Sequence, residues 1–216
     1  MHKRTLIKNA VIVNEGRSFT GSLVIENHHI EEIIEGRDKR PVIPADEETD
    51  ADGCYLLPGI IDEHVHFRDP GLTHKADMGS ESRAAAAGGV TTVLDMPNTV
   101  PQTVTTESFD EKLAIAAKHC HINYGFFFGA ANTNIATMEK LNRHKVCGIK
   151  LFMGSSTGNM LVDDEETLST LFEHSRLPIM VHCESSEIIN RNLERMRQLH
   201  GNDPDVRFHP AIRSTE

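Results

Sequence analysis

From residue 58 onward the sequence repeats one pattern, a short apolar run followed by a segment with helical spacing. The runs cover residues 60–66, 90–96, 121–128, 146–153 and 178–182. Most are nearly unbroken, as expected of parallel strands covered on both faces rather than of half-exposed strands, which alternate. The segments between them carry helix signals. The alanine run 84–87 stops at Gly88-Gly89, a strong former followed by a terminator. Ser108 and Glu111 read as a capping box ahead of Leu113, Ile115 and Ala116. Residues 163–166 open another helix carrying Leu168, Leu171 and Phe172. Ser185 or Ser186 caps a last one, with Ile188, Ile189, Leu193, Met196 and Leu199 spaced for one apolar face.

Repeated βα units in series demand a parallel sheet, either doubly wound or closed into a barrel. No GxGxxG follows the first strand, which counts against a dinucleotide-binding sheet. Polar residues decide between the two. His64 and His66 end the first strand, Asn98 follows the second, Lys150 lies in the fourth and His182 ends the fifth. Functional groups at the carboxyl ends of several strands are the pattern of a (β/α)8 TIM barrel. Five strands do not close such a barrel, whose domain typically needs about 250 residues. The expectation is that residues 58–216 form its first five βα units, the N-terminal part of a longer barrel.

Residues 1–57 read differently. Strand candidates fall at 6–7 with 10–13, at 21–26 and at 30–34, with Asn27-His28-His29 as a turn. Residues 37–50 are charged, contain two prolines and read as a surface loop. This portion is expected to be a small β-rich domain beside the main one, without visible chemistry.

Composition narrows the function classes. A 38% apolar and 25% charged chain is that of a soluble globular protein. A net charge of −10 argues against a nucleic-acid partner. No apolar run reaches the ~18–20 residues of a membrane span, and the first residues lack the apolar core of a signal peptide. Cys54, Cys120, Cys147 and Cys183 form no CxxC pair, so reduced thiols in a cytoplasmic protein are expected. Neither a monomer nor a homo-oligomer is specified.

The chemistry concentrates in PGIIDEHVHFRDPG, residues 58–71. Side chains two apart on a strand share a face, so His64 and His66 together are half of a divalent metal site. Asp62 would orient an imidazole through its second nitrogen. His182, in an apolar strand, reads alone as a core histidine and beside the pair as a third ligand. Lys150 interrupts an apolar run where an unpaired charge is expensive to bury. It either snorkels out of the strand end or is held near metal as a base or, once modified, a ligand. Arg68 and Asn98 would read a carboxylate or amide, although Asn98 alone reads as a turn residue. Residues 154–158 look like a loop over the strand ends, lacking the GK of a P-loop. His209, in an irregular polar stretch, is a weaker ligand candidate. His28, His29, His74, His119, His144, His174 and His200 read as solvated.

Three segments, DxHxHFRDPG at 62–71, AAGGVTT at 86–92 and DMPNT at 95–99, resemble the amidohydrolase superfamily, and within it the dihydroorotases. The similarity covers nearly the whole chain, including a start that matches the small β-sandwich of these enzymes. The HxH pair is shared with hydantoinases and allantoinases; Arg68 and the segment around Asn98 favour dihydroorotase. The resemblance implies two zinc ions, with His64 and His66 on one, His182 on the other and a carboxylated Lys150 bridging them. Arg68 and Asn98 would hold the substrate α-carboxylate. A further histidine and the aspartate that serves as proton-transfer base are expected beyond residue 216, so no residue of this chain is assigned as the catalytic base. The implied reaction is the reversible cyclisation of N-carbamoyl-L-aspartate to L-dihydroorotate in pyrimidine synthesis. A hydantoinase or allantoinase activity, and an inactive homologue serving as a scaffold, are the alternatives.

Overall fold

The computed structural model describes residues 3–154, 160–162 and 164–214. Of the loop expected at 154–158 only Gly154 falls among them, and Asp163 of the expected helix start lies outside. The chain divides into two compact units between Gly59 and Ile60.

In the first unit, β1 (Arg4–Asn14), β2 (Arg17–Glu26) and β3 (His29–Glu35) pair antiparallel in the order β3-β2-β1. Glu15 (φ 49°) and Gly16 (φ 74°) both take left-handed backbone between β1 and β2, the turn whose twist suits a two-residue hairpin. The segment expected to be a loop contains β4 (Glu47–Asp50), which adds to β1 in parallel, as does β5 (Tyr55–Leu56). Four exposed polar residues, EETD, give β4 no apolar signal to read. A buried Asn9 in the β1 bulge holds this region: its amide meets Asp38 Oδ1 and Asp50 Oδ1, both at 3.3 Å, and its Oδ1 accepts from Asp38 N at 2.9 Å. The described residues of this unit form one five-stranded sheet; the second layer of a sandwich is not among them.

The second unit runs β6 (Ile60–Val65), α1 (Met78–Ala87), β7 (Val90–Asp95), α2 (Thr106–His119), β8 (Asn123–Gly129), α3 (Ile135–Met138), β9 (Gly148–Met153), α4 (Glu165–His174), β10 (Ile179–Cys183) and α5 (Ser186–His200). A 3₁₀ turn at Val206–Phe208 leads into α6 (His209–Ile212). The five strands are parallel and lie in the sheet in chain order, β6 to β10. A doubly wound sheet reverses direction at a switch point; this one does not, so it winds as a TIM-type barrel does. No helix among the described residues is long and apolar enough to cross a membrane.

One core lies on the helix side of the sheet. Phe126 and Phe128 of β8, Ile149 and Leu151 of β9 and Val93 of β7 pack against Met78, Phe109, Ala116 and Leu171. Phe109 meets Phe126 edge-on at 6.3 Å, a favoured aromatic geometry. The outer strand β6 departs from its apolar sequence: Ile60 is 55% and Ile61 62% exposed, because among the described residues β6 has a strand neighbour on one side only. The helix ends mostly follow the sequence. Gly88 caps α1, Asp164 accepts from Thr167 N at 2.8 Å to open α4, and Ser185 opens α5. At α2 the helix starts earlier than expected. Thr105 is the N-cap and Ser108 its reciprocal partner, so Ser108 completes a capping box instead of starting one.

Candidate functional site

Which way the strand-end residues face follows from what packs on the other side. Val65, Phe67, Ile149, Leu151, Ile179 and Val181 belong to the helix-side core or pack on it. Alternation along a strand therefore sends His64, His66, Lys150 and His182 to the opposite, inner face.

His64, on β6, is exposed, and His66, just beyond it, is half-buried, with ring centroids 5.4 Å apart. His66 Nδ1 lies 2.8 Å from Asn98 Oδ1. An amide oxygen can only accept, so this nitrogen carries the proton and Nε2 keeps its lone pair. That is the oriented second partner a metal-ligating imidazole requires. The sequence expectation gave this role to Asp62, but its carboxylate takes the backbone N–H of His64 at 3.1 Å. Asn98 itself sits in a braced loop, where Thr99 Oγ1 donates to Pro101 O at 2.8 Å and Thr103 N to Pro97 O at 3.0 Å. Desolvation is the main cause holding both imidazoles below their ordinary pKa. The charges of Lys150 and His182 add to it at His64; at His66 the Asn98 bond opposes it and Arg68 reinforces it.

Lys150 is 2% exposed. Its Nζ lies 5.0 Å from the centroid of the Phe152 ring, and among the described residues it makes no ion pair or hydrogen bond. The side chain does not snorkel, and desolvation lowers its pKa. On the neighbouring strand His182 pairs in register with Phe152 and stacks on it at 6.0 Å. Its Nε2 is engaged by Glu184 Oε2 at 3.2 Å, and Glu184 is also held by Arg213. His182 thus shares the face and the electrostatic field of His64 with one nitrogen already taken. His209 begins α6 and is exposed. Among the described residues no three His, Cys, Asp or Glu side chains form a metal-ready group. The donors that fit a divalent ion are His64, the free Nε2 of His66 and, if given a negative charge, Lys150.

Arg68 has left-handed backbone (φ 65°) and its carbonyl accepts from Leu72 N at 3.0 Å. This local turn swings the chain away immediately after His66. Arg68 is half-buried, and its guanidinium has no carboxylate partner among the described residues. Gly71 (φ 83°) closes the turn, and a side chain there would collide with the Val100 carbonyl.

A second buried lysine escaped the sequence reading. Lys112 of α2 and Asp95 of β7 are 0% and 1% exposed and lie 2.7 Å apart. Phe109, Lys112 and Ala116 fall at i, i+3 and i+7, so a charge on the buried stripe of α2 was the available signal.

The amidohydrolase family model matches residues 55–206. The chain belongs to the amidohydrolase family. It is 36% identical over 210 residues to a dihydroorotase of Methanosarcina acetivorans, covering 96% of this chain and 43% of that protein. It is 41% identical over 151 residues to an allantoinase of Rubrobacter xylanophilus, covering 67% of this chain and 33% of the relative. An L-hydantoinase (dihydropyrimidinase) from Arthrobacter aurescens superposes with a TM-score of 0.87 at 25% identity, over 99% of this chain and 47% of that one. The resemblance to dihydroorotases is thereby borne out, alongside relatives with sister activities. The chain spans less than half the length of each of these relatives.

Proposed function

We propose that the chain provides the metal-binding and carboxylate-binding side of a cyclic amidohydrolase of the dihydroorotase type, within a (β/α)8 barrel whose first five units it supplies. The observation that carries this reading is the guanidinium of half-buried Arg68, without an anionic partner among the described residues, two residues beyond an imidazole prepared for metal. A bidentate fork beside a metal site suits a cyclic amide bearing a carboxylate, and dihydroorotate is such a molecule.

Arg68 binds and orients the substrate carboxylate, with the Asn98 amide NH2 facing the same ligand. Asn98 Oδ1 keeps the His66 proton on Nδ1, so Nε2 remains a ligand at neutral pH. Lys150, lowered in pKa by desolvation, presents a neutral amine more readily than a solvated lysine. Attack of that amine on carbon dioxide forms an N–C bond and releases one proton, leaving a carbamate anion at a side chain that has no anionic partner among the described residues. His64, His66, the modified Lys150 and, once its Nε2 is free of Glu184, His182 would hold zinc, which would supply Lewis acidity and lower the pKa of water.

Matched turnover by Arg68→Ala and wild type tests it, with dihydroorotate and with hydantoin as a carboxylate-free cyclic amide. Losing a charge-assisted pair of ~1.5–3 kcal/mol lowers kcat/KM for dihydroorotate about 10- to 150-fold and spares the carboxylate-free substrate. Unchanged kinetics on dihydroorotate would refute the role of Arg68. The allantoinase relative, with the higher identity over a shorter span, favours a second reading. Turnover of allantoin or hydantoin in preference to dihydroorotate would establish that reading, and a complete barrel that binds zinc without turning over any of these would support the scaffold alternative.

A further inference from the structure

Behind the site, on the helix side of the sheet, the Lys112–Asp95 pair makes contacts that a merely neutralising ion pair does not need. Lys112 Nζ donates to Met96 O at 2.7 Å and lies 4.8 Å from the centroid of the Phe126 ring. Asp95 Oδ1 accepts from Phe67 N at 2.9 Å. Val65 is in register with Asp95, and Met96 N donates to Val65 O at 3.0 Å. The β6–β7 ladder therefore ends at Val65, and its next rung is a side chain: the Asp95 carboxylate takes the N–H of Phe67. Lys112 fixes that carboxylate and also grips the carbonyl of Met96, two residues before Asn98. One ammonium thus holds both backbone segments that carry His66 and Asn98.

We infer that Lys112 and Asp95 are positioning residues. Through Phe67 N and Met96 O they set the register between the strand ends that brings Asn98 Oδ1 onto His66 Nδ1. This deepens the metal-site reading and rests on it for its functional meaning, although the geometry itself concerns the metal-free chain. A surface pair could not do this: an exposed ion pair restrains little, whereas a buried one with each partner also hydrogen-bonded to backbone has few alternative arrangements. A lysine is suited because its head pairs with a carboxylate and donates to a carbonyl at once, and its stem fills the apolar face of α2.

The test uses the full chain without metal, reading the His66 tautomer by long-range 1H–15N correlation above the imidazole pKa. Wild type should show a single Nδ1–H form. Asp95→Leu/Lys112→Met replaces the pair by apolar groups, a change that buried ion pairs often tolerate. It removes the acceptor for Phe67 and the donor to Met96. The double variant is expected to fold, shown by unchanged far-UV circular dichroism, and to give mixed His66 tautomers. Asp95→Asn/Lys112→Met restores an acceptor for Phe67 and should recover part of the Nδ1–H form. A folded Leu/Met variant with the wild-type tautomer overturns the inference, as does an Asn variant no better than the Leu one. If the Leu/Met variant does not fold, hydrogen exchange of the Phe67 amide in wild type decides. Protection matching the neighbouring β7 amides supports the anchor, and exchange at the rate of an open loop amide refutes it. Zinc titration separates the two readings. A loss of about 10- to 100-fold in affinity for the Leu/Met variant, the usual effect of removing a partner that orients a ligand, supports both. A tautomer change with zinc binding indifferent to His66→Ala would refute the metal role of His66 and leave the positioning intact.

Discussion

Replacing Lys150 by Met should stabilise the metal-free chain, and the size of the gain follows from the surroundings of the lysine. The side chain is 2% exposed, and the ammonium has no carboxylate among the described residues. The penalty for desolvating an ion inside a protein is several kcal/mol after relaxation. Among the described residues the compensating contact is the Phe152 ring at 5.0 Å, and a desolvated cation–π contact contributes ~2 kcal/mol. The difference leaves a net liability of about 1–3 kcal/mol at neutral pH. Methionine has nearly the same length and no charge, so it removes the liability without opening a cavity. For a chain of this size ~1 kcal/mol corresponds to ~2–4 °C in Tm, so the variant should melt about 2–12 °C higher.

The pH dependence provides the sharper comparison. Burial lowers the folded-state pKa of Lys150, so above that value the folded state binds fewer protons at this site than the unfolded state. Stability contributed by the site then rises with pH from the depressed folded pKa to the unfolded value of ~10.4. Urea unfolding of wild type and Lys150→Met, from pH 7 upward in chelator-containing, CO2-free buffer, should give curves that converge as pH rises. Lys112 has the same direction of shift but is common to both proteins and cancels in the difference. A variant less stable than wild type at pH 7, or two curves that stay parallel, would sink the argument that Lys150 is an uncompensated buried charge.

Two further outcomes follow from the same face. The pKa values of His64 and His66 are lowered chiefly by desolvation, so the metal-free chain should lose stability as pH falls through the unfolded value of ~6.5 and level off below the folded values. His64→Gln/His66→Gln should flatten that part of the urea-midpoint profile, and an unaltered profile would contradict the assignment. Gly71→Ala must place a side chain at φ 83° against the Val100 carbonyl. Left-handed strain and the clash together cost about 2–4 kcal/mol, read as a fall in the urea midpoint at unchanged m-value; an unshifted midpoint would mean that the turn relaxes freely.

The chain's legibility followed how local each signal was. The βα rhythm, Gly88 at the end of α1 and Ser185 at the start of α5 are written in neighbouring residues, and they appear where the sequence puts them. The HxH pair and Lys150 were visible as polar intrusions in apolar runs. The misses were relations across the chain. β4 is a strand only because β1 offers an edge to it, and its EETD carries no apolar pattern. Ile60 and Ile61 look buried, yet their exposure depends on how many strands flank β6. Asp62 precedes the histidines and was the obvious orienting partner, but backbone geometry gives its carboxylate to the His64 N–H and leaves the ring of His66 to a residue 32 positions away. Lys112 was recognisable only to a reading that asked why a charge sits between Phe109 and Ala116.

The two faces of the sheet treat charge in opposite ways, and the contrast separates stability from chemistry. On the helix side Lys112 has Asp95, the Met96 carbonyl and the Phe126 ring, and so is a buried charge with its partners in place. On the inner face, among the described residues, Lys150 has a ring and no anion, and Arg68 has no carboxylate. A chain selected for stability alone would pair or replace these two, since apolar substitution of a lone buried charge lowers the free energy of the folded state. Asp62 acts on His64 and Glu184 on His182, so among the described residues the cations left without a carboxylate on this face are Lys150 and Arg68, beside two imidazoles held below their ordinary pKa. On the proposed reading, a substrate carboxylate at Arg68 and a carbamate on Lys150 would supply the missing anions. The paired lysine behind the sheet then plays the complementary part, keeping the strand ends in register while the inner face remains open for ligands.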